Sequence, residues 1–300
     1  MKILFTFPGQ GGQRPGMLAM IPDREAILTQ ARAVLGDEVD TLDSADALQH
    51  TRAVQLCLLI AGVAWARELQ RQGVDPQMVS GLSIGAFPAA VIAGALDFAS
   101  ALRLVALRGD LMEQAYPEGY GLTAIMGLTR PRVETLMQGH EVYLANLNAE
   151  TQFVIAGRDE AMAEVAQLAL RAGASKAQRL AVSVPSHCAL LDKPAAELAK
   201  AFAGASLRRP WCAYLSGSTA RVLWDPQRIA DDLAMNMARP VHWQEAMVAA
   251  DERDARLAIE MPPGGVLTCL TRQAGWRGET IALERSGLDV ARHLAQRLSD

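Results

Sequence analysis

The stretch Ser80-Gly81-Leu82-Ser83-Ile84-Gly85-Ala86-Phe87 constrains the fold of this chain more than any other. Gly81 and Gly85 flank Ser83 at two residues on each side, the G-x-S-x-G spacing. A serine lifted out by a sharp strand-to-helix turn has strained dihedrals and close backbone neighbours, which is why glycines flank it. Met78-Val79-Ser80 reads as the end of a short buried strand. Phe87 to Ala93 reads as an apolar helix with Pro88 in its first turn, where a missing N–H is tolerated. Ordinary glycine-bearing turns carry the same letters, so the rest of the chain decides between a nucleophile and a bend.

Apolar βα patterns continue on both sides of that stretch. Ile3 to Phe7, Trp211 to Ser216 and Leu257 to Glu260 read as buried strands. Helical patterns run over Asp23 to Leu35, Thr51 to Gln72, Ser100 to Gln114, Leu191 to Phe202 and Ile229 to Met237. Between them the order changes. Leu122 to Gly127, a helix to Met137, a hairpin of Val142 to Asn146 with Gln152 to Ala156, a helix over Asp159 to Ala172 and a last strand Gln178 to Val184 give βαββαβ. The expected architecture is α/β: a large domain with a mainly parallel sheet flanked by helices, residues 1–120 and 186–300, interrupted by a small ferredoxin-like α+β domain at 121–185.

Composition narrows the function classes. Across 300 residues, half are hydrophobic, 21% are charged and the net charge is −4, which fits a globular protein with an ample core and gives nucleic acid no basic face to grip. The four cysteines, Cys57, Cys188, Cys212 and Cys269, lack CxxC spacing, so neither a zinc site nor a disulfide framework is expected. No metal is expected. The longest apolar stretch, Ala53 to Ala66, contains Gln55 and is shorter than a bilayer span. No secretory signal pattern follows Met1, because the apolar start stops at Pro8-Gly9. The expected setting is the cytoplasm, away from membranes.

Several residues outside the elbow carry chemical potential. The loop Pro8-Gly9-Gln10-Gly11-Gly12-Gln13 has enough glycine to bring backbone N–H groups against a ligand, yet lacks the lysine of a Walker loop and the G-x-G-x-x-G pattern. Gln55 is a polar residue in an otherwise apolar helix and must find a partner. Arg108 lies among Ala106, Leu107 and Gly109; if it points inward it needs a carboxylate, and a solvated helix arginine is the commoner fate. A serine nucleophile requires a base, most often histidine. Of the five histidines, His50, His140 and His293 read as surface and His242 as packing. His187 is the best placed, where the chain leaves the small domain and a cleft would form.

Together these motifs resemble the malonyl-CoA:acyl-carrier-protein transacylase family over essentially the whole chain. The resemblance is carried by Phe7 to Gly11, Thr51 to Gln55, Gly81-x-Ser83-x-Gly85, Arg108-Gly109, Val182 to Leu190, Asn236 before Arg239-Pro240-Val241, and Glu260 to Gly264 with Leu267-Thr268. It implies Ser83 as nucleophile, His187 as base, and the N–H groups of Gln10 and Ile84 as an oxyanion hole. It further implies Gln55 as a supporting side chain, Arg108 as the partner of the malonyl carboxylate, and the Asn236 carbonyl as the group orienting the histidine. No permanently bound cofactor is implied. Malonyl-CoA would be the donor and a carrier-bound thiol the acceptor, on an acyl-carrier protein or subunit.

The elbow departs from the fatty-acid enzymes, which usually read G-H-S-x-G-E where this chain has Leu82 and Ala86. That variant is most similar to the epsilon (malonyltransferase) subunit of bacterial malonate decarboxylase. There the acceptor is a phosphoribosyl-dephospho-CoA thiol rather than phosphopantetheine, and other decarboxylase subunits are partners. The expectation is therefore malonyl transfer within malonate decarboxylase. The alternatives are the fatty-acid transacylase, a serine esterase or thioesterase, and a non-catalytic scaffold on the same fold.

Overall fold

The computed structural model describes residues 1–116 and 118–299. Its first half runs β1 (Lys2–Phe7), α1 (Arg24–Leu35), α2 (Thr51–Arg71), β2 (Met78–Gly81), α3 (Ala86–Ile92) and α4 (Phe98–Ala115). There follow β3 (Tyr120–Met126), α5 (Arg130–Met137), β4 (Val142–Ala149), β5 (Gln152–Arg158), α6 (Asp159–Arg171) and β6 (Lys176–Arg179). The chain continues through α7 (Asp192–Ala201), β7 (Ala213–Leu215), β8 (Val222–Leu223), α8 (Pro226–Met235) and α9 (Trp243–Glu252). It ends with β9 (Ala255–Glu260), α10 (Val266–Gln273), β10 (Glu279–Ala282) and α11 (Leu283–Ser299).

The expected α/β architecture is what forms. A six-stranded sheet in the order β10-β9-β1-β2-β7-β8 is parallel throughout except for the short edge strand β8. Alternate residues of β1 point to opposite faces, as a pleated strand requires. Ile3, Phe5 and Phe7 join one core with α1 to α4, α7, α8 and α11, while Leu4 joins another with α9 and α10. Helices thus cover both faces, and the strands read as unbroken apolar runs because neither face meets water.

Residues Tyr120–Arg179 form a separate four-stranded antiparallel sheet, β4-β5-β3-β6, the order of a split βαβ unit. One face packs on α5 and α6 through Ile125, Val133, Phe153, Met162 and Val165. The other face, with Leu122, Ala145, Val154 and Ala156, packs on Cys188 and Leu190. That second face therefore covers the segment that carries His187.

One expected element differs. The strand read over Gln178 to Val184 is β6 at Lys176–Arg179, and residues 180–184 are irregular. Arg179 is the physical reason. Its guanidinium donates to the carbonyls of Tyr120, Leu180 and Val182 at 2.7, 2.5 and 2.8 Å, serving acceptors that a longer ladder would have paired.

Candidate active site

The elbow forms where three parallel strands end. Leu82 N–H donates to the Phe7 carbonyl at 3.0 Å, which ties the turn after β2 to the last residue of β1. A Cβ on Gly81 would sit 2.0 Å from the Gly85 carbonyl, and one on Gly85 would sit 2.1 Å from the Phe7 carbonyl oxygen. No side chain fits at either place. Ser83 itself has φ +58°, in the left-handed region that L-residues rarely occupy. Gly9 lies against the same turn, since a Cβ there would be 2.8 Å from Leu82 Cδ2 and 3.7 Å from Ser83 Cβ. The loop carrying Gln10 is thereby brought to Ser83. Among the described residues, neither the Gln10 nor the Ile84 N–H has a backbone acceptor.

His187 reaches Ser83 from the other side. Its Nε2 lies 2.9 Å from Ser83 Oγ, and its Nδ1 lies 2.8 Å from the Asn236 carbonyl and 3.3 Å from that of Arg239. Carbonyls only accept, so Nδ1 carries the proton and Nε2 presents its lone pair to the serine hydroxyl. Burial, reinforced by the Arg108 charge, pushes the imidazole down to about 4, while the two carbonyls act in the opposite direction. The ring is neutral at physiological pH. Its residue also has positive φ, +66°, and its N–H donates to the Met237 carbonyl at 2.6 Å. Both members of the serine–histidine pair thus sit in a sparsely populated conformation, the kind of strain that clusters at functional sites.

Arg108 points inward from α4 and is fully buried. Its Nη2 donates to Ser83 Oγ at 3.3 Å and to Asn236 Oδ1 at 3.0 Å, and its guanidinium carbon lies 5.9 Å from the centre of the Phe87 ring. Nε and Nη1 are buried without a partner in this structure. Burial alone pushes its pKa down to about 9, which still leaves the group charged at neutral pH. A buried guanidinium with two unpartnered nitrogens is costly unless an anion completes it.

Of the seven expected residues, Ser83, His187, Arg108 and Asn236 make direct hydrogen bonds to one another. Gln10 and Ile84 adjoin them through the backbone. Gln55 makes no hydrogen bond to them among the described residues: its Nε2 donates to Met112 Sδ at 3.3 Å, one helical turn beyond Arg108 on α4, and its Oε1 is buried without a partner. Two contributors were not foreseen. The Asn236 side chain bonds Arg108 and also donates from Nδ2 to the Ser83 carbonyl at 3.2 Å, and Phe87 underlies the guanidinium. An asparagine directly after an amphipathic helix is the available signal for the first. The adjacent Cys188 is no rival nucleophile, because burial raises its thiol to about 11 and its Sγ faces the Pro185 carbonyl. The other histidines pair with surface carboxylates, His50 with Glu113, His140 with Glu164 and His242 with Glu245, except His293, which is exposed on α11.

Residues 4–286 match the acyl transferase domain family. A malonyl CoA-acyl carrier protein transacylase of Escherichia coli K12 is 37% identical over 285 residues, spanning 91% of this chain and 92% of that protein. The structure of the malonyl CoA-acyl carrier protein transacylase of Coxiella burnetii superposes with a TM-score of 0.92 at 32% identity, covering 100% of this chain and 98% of that one. A malonyl-transacylase solved in complex with its type II PKS acyl-carrier protein gives a TM-score of 0.91 at 34% identity, over 99% of this chain and 100% of that one.

Proposed function

The chain belongs to the acyl transferase domain family, among the malonyl CoA-acyl carrier protein transacylases, and from that premise we propose that it moves a malonyl group from malonyl-CoA to the thiol of an acyl-carrier protein through an ester on Ser83. The observation that carries this reading is the contact of Ser83 Oγ with both a neutral imidazole and a buried, unneutralised guanidinium.

In the first half-reaction, Ser83 Oγ gives its proton to His187 Nε2 and attacks the thioester carbonyl of malonyl-CoA. The Gln10 and Ile84 N–H groups face the oxyanion, each contributing roughly 2.7–4 kcal/mol to the transition state. Collapse breaks the C–S bond, and the CoA thiolate takes the proton from His187 Nε2. In the second half, the carrier thiol gives its proton to His187 and attacks the serine ester. The C–O bond breaks and Ser83 Oγ recovers the proton. Carbonyls of Asn236 and Arg239 stabilise the imidazolium between steps in place of a triad carboxylate. Arg108 selects the acyl group: the malonyl carboxylate would complete the nitrogens that have no protein partner, and an uncharged acyl group would not. Residues 121–185 act as an inserted lid whose irregular exit segment delivers His187.

The relatives named above are transacylases of acyl-carrier proteins, which supports a separate acyl-carrier protein as the acceptor over the decarboxylase setting. Only Leu82 and Ala86 speak for the carrier subunit of malonate decarboxylase. Both are accommodated as apolar packing residues, Ala86 in the main core and Leu82 against Gly9, so neither departure disturbs the turn. Incubation with radiolabelled malonyl-CoA, followed by peptide mapping, tests the proposal. Label on Ser83 that passes to an added carrier is the expected result. Label lost to water without a carrier would favour an esterase, and no label would favour a scaffold. Offering both kinds of carrier thiol separates the two settings.

A further inference from the structure

Asn236 was expected to act through its backbone, and its side chain does something separate. Oδ1 accepts from Arg108 Nη2 at 3.0 Å while Nδ2 donates to the Ser83 carbonyl at 3.2 Å. The guanidinium can only donate and the carbonyl can only accept, so this amide orientation alone satisfies both neighbours. The residue is buried at the end of α8, and no other protein side chain besides Ser83 accepts from Arg108 among the described residues. The guanidinium is therefore held by a neutral acceptor. Its position is fixed and its charge is not cancelled.

We infer that the Asn236 side chain is a positioning residue that sets acyl preference, by aiming the Arg108 guanidinium at the acyl group on Ser83 without neutralising it. An aspartate here would still accept from the guanidinium but pair with it permanently, competing with a substrate carboxylate, and it has no donor for the Ser83 carbonyl. Alanine would leave the charge intact but the group free to turn away, and would also strip a donor from the Ser83 carbonyl. Only a short primary amide supplies a neutral acceptor for one neighbour and a donor for the other. This inference rests on the malonyl reading above and adds the element that keeps the carboxylate site open.

The experiment measures kcat and KM for malonyl-CoA and acetyl-CoA with wild type, Asn236→Asp, Asn236→Ala and Asn236→Ser, after Ser83 labelling of each. In Asn236→Asp the malonyl-over-acetyl ratio of kcat/KM should fall roughly tenfold to a hundredfold, the worth of a hydrogen bond to a charged group. The fall should come mainly through KM for malonyl-CoA. The added carboxylate should also move the acid limb of the pH profile upward, by favouring the His187 imidazolium. Asn236→Ala should lower the ratio as well. Asn236→Ser keeps a neutral acceptor and guards against a folding failure of the others; its ratio should fall between those of wild type and alanine. A merely structural role would depress both substrates equally, and an unchanged ratio in variants that still label overturns the inference alone. Wild type that takes no malonyl label overturns the functional reading and this inference together.

Discussion

Arg108 and Asp232 are both buried charged side chains, 0% and 2% exposed, and the protein treats them in opposite ways. Asp232 lies on α8, one turn before Asn236. Its carboxylate accepts from Ser216 Oγ at 2.6 Å and from Tyr214 OH at 2.8 Å, so both oxygens are answered from β7 and the turn after it. Arg108 has one nitrogen engaged and two idle. Neither side chain sits opposite a counter-charge within the protein's own hydrogen bonds. The difference lies in completeness: one group closes a network that fixes α8 against the sheet, and the other leaves an opening that a ligand anion would fill. Both side chains are almost wholly removed from water, so burial by itself does not identify a functional charge. Unanswered donors do.

If that contrast is right, substitutions in the two regions should move activity and stability in different proportions. Ser83→Ala, which removes the hydroxyl that Arg108 and His187 share, should cut malonyl transfer by about four orders of magnitude or more and abolish covalent labelling. Circular dichroism and the melting temperature should stay near wild type. Arg108→Met comes next. It should lower kcat/KM for malonyl-CoA by roughly two to three orders of magnitude, as expected for a buried charge pair that loses one partner. Acetyl transfer should change far less, and the melting temperature should hold or rise because an unpaired buried charge has gone. Equal losses for both substrates would break the comparison at its functional end.

Asp232→Ala tests the structural end. It leaves the Tyr214 and Ser216 hydroxyls without their acceptor, at roughly 1–3 kcal/mol for each. Urea denaturation should report that loss, and Asp232→Asn should recover part of it. Activity should fall only as far as α8 misplaces Asn236.

The smallest effects are in pH dependence. His187 in the folded protein is pushed from an ordinary 6.5 down to about 4. Its contribution to stability is therefore present above about 6.5 and lost as pH falls through about 4. The kcat/KM profile should stay flat across that window, with an acid limb near 4 that moves upward in Arg108→Met, whose positive charge helps depress the ring. Asp232 runs the other way. Burial raises its carboxyl, so the folded state binds its proton more tightly, and that contribution is present at low pH and lost as pH rises through the raised value. Stability curves of Asp232→Asn against wild type would expose the difference.

What was legible in the sequence follows the same division. The parallel sheet could be read because β1, β2 and β9 are mostly apolar, with Thr6, Ser80 and Glu260 as their buried polar residues. The elbow could be read because steric exclusion at Gly81 and Gly85 admits one residue type only. Helix α4 was bounded within a residue or two, helped by the Asp97 side chain that accepts from Ser100 N–H at its start. Residues 180–184 carry β-prone letters but do not form a strand, because the letters do not reveal that the neighbouring Arg179 guanidinium folds back onto the carbonyls a strand would use. Whether Arg108 faced inward was undecidable from its neighbours, since an apolar flank suits both a snorkelling and a buried arginine. The Asn236 amide was invisible for a related reason. Its importance comes from two partners 128 and 153 positions away, and no local pattern encodes them.

The clamp between Gly85 and Phe7 bears on how the chain acquires its activity. Phe7 and Gly81 are register partners across β1 and β2, separated by the whole of α1 and α2. The turn can take its strained shape only when that long-range pairing exists, because the Phe7 carbonyl is what Leu82 N–H binds. A collapsed intermediate with native helices and an unpaired β1 would hold Ser83 in an ordinary bend, unreactive toward thioesters. During refolding from urea, reactivity of Ser83 toward an acyl donor should thus appear later than far-ultraviolet ellipticity and in step with burial of β1. The nucleophile is in that sense a reporter of topology: it switches on when two ends of a non-local contact meet.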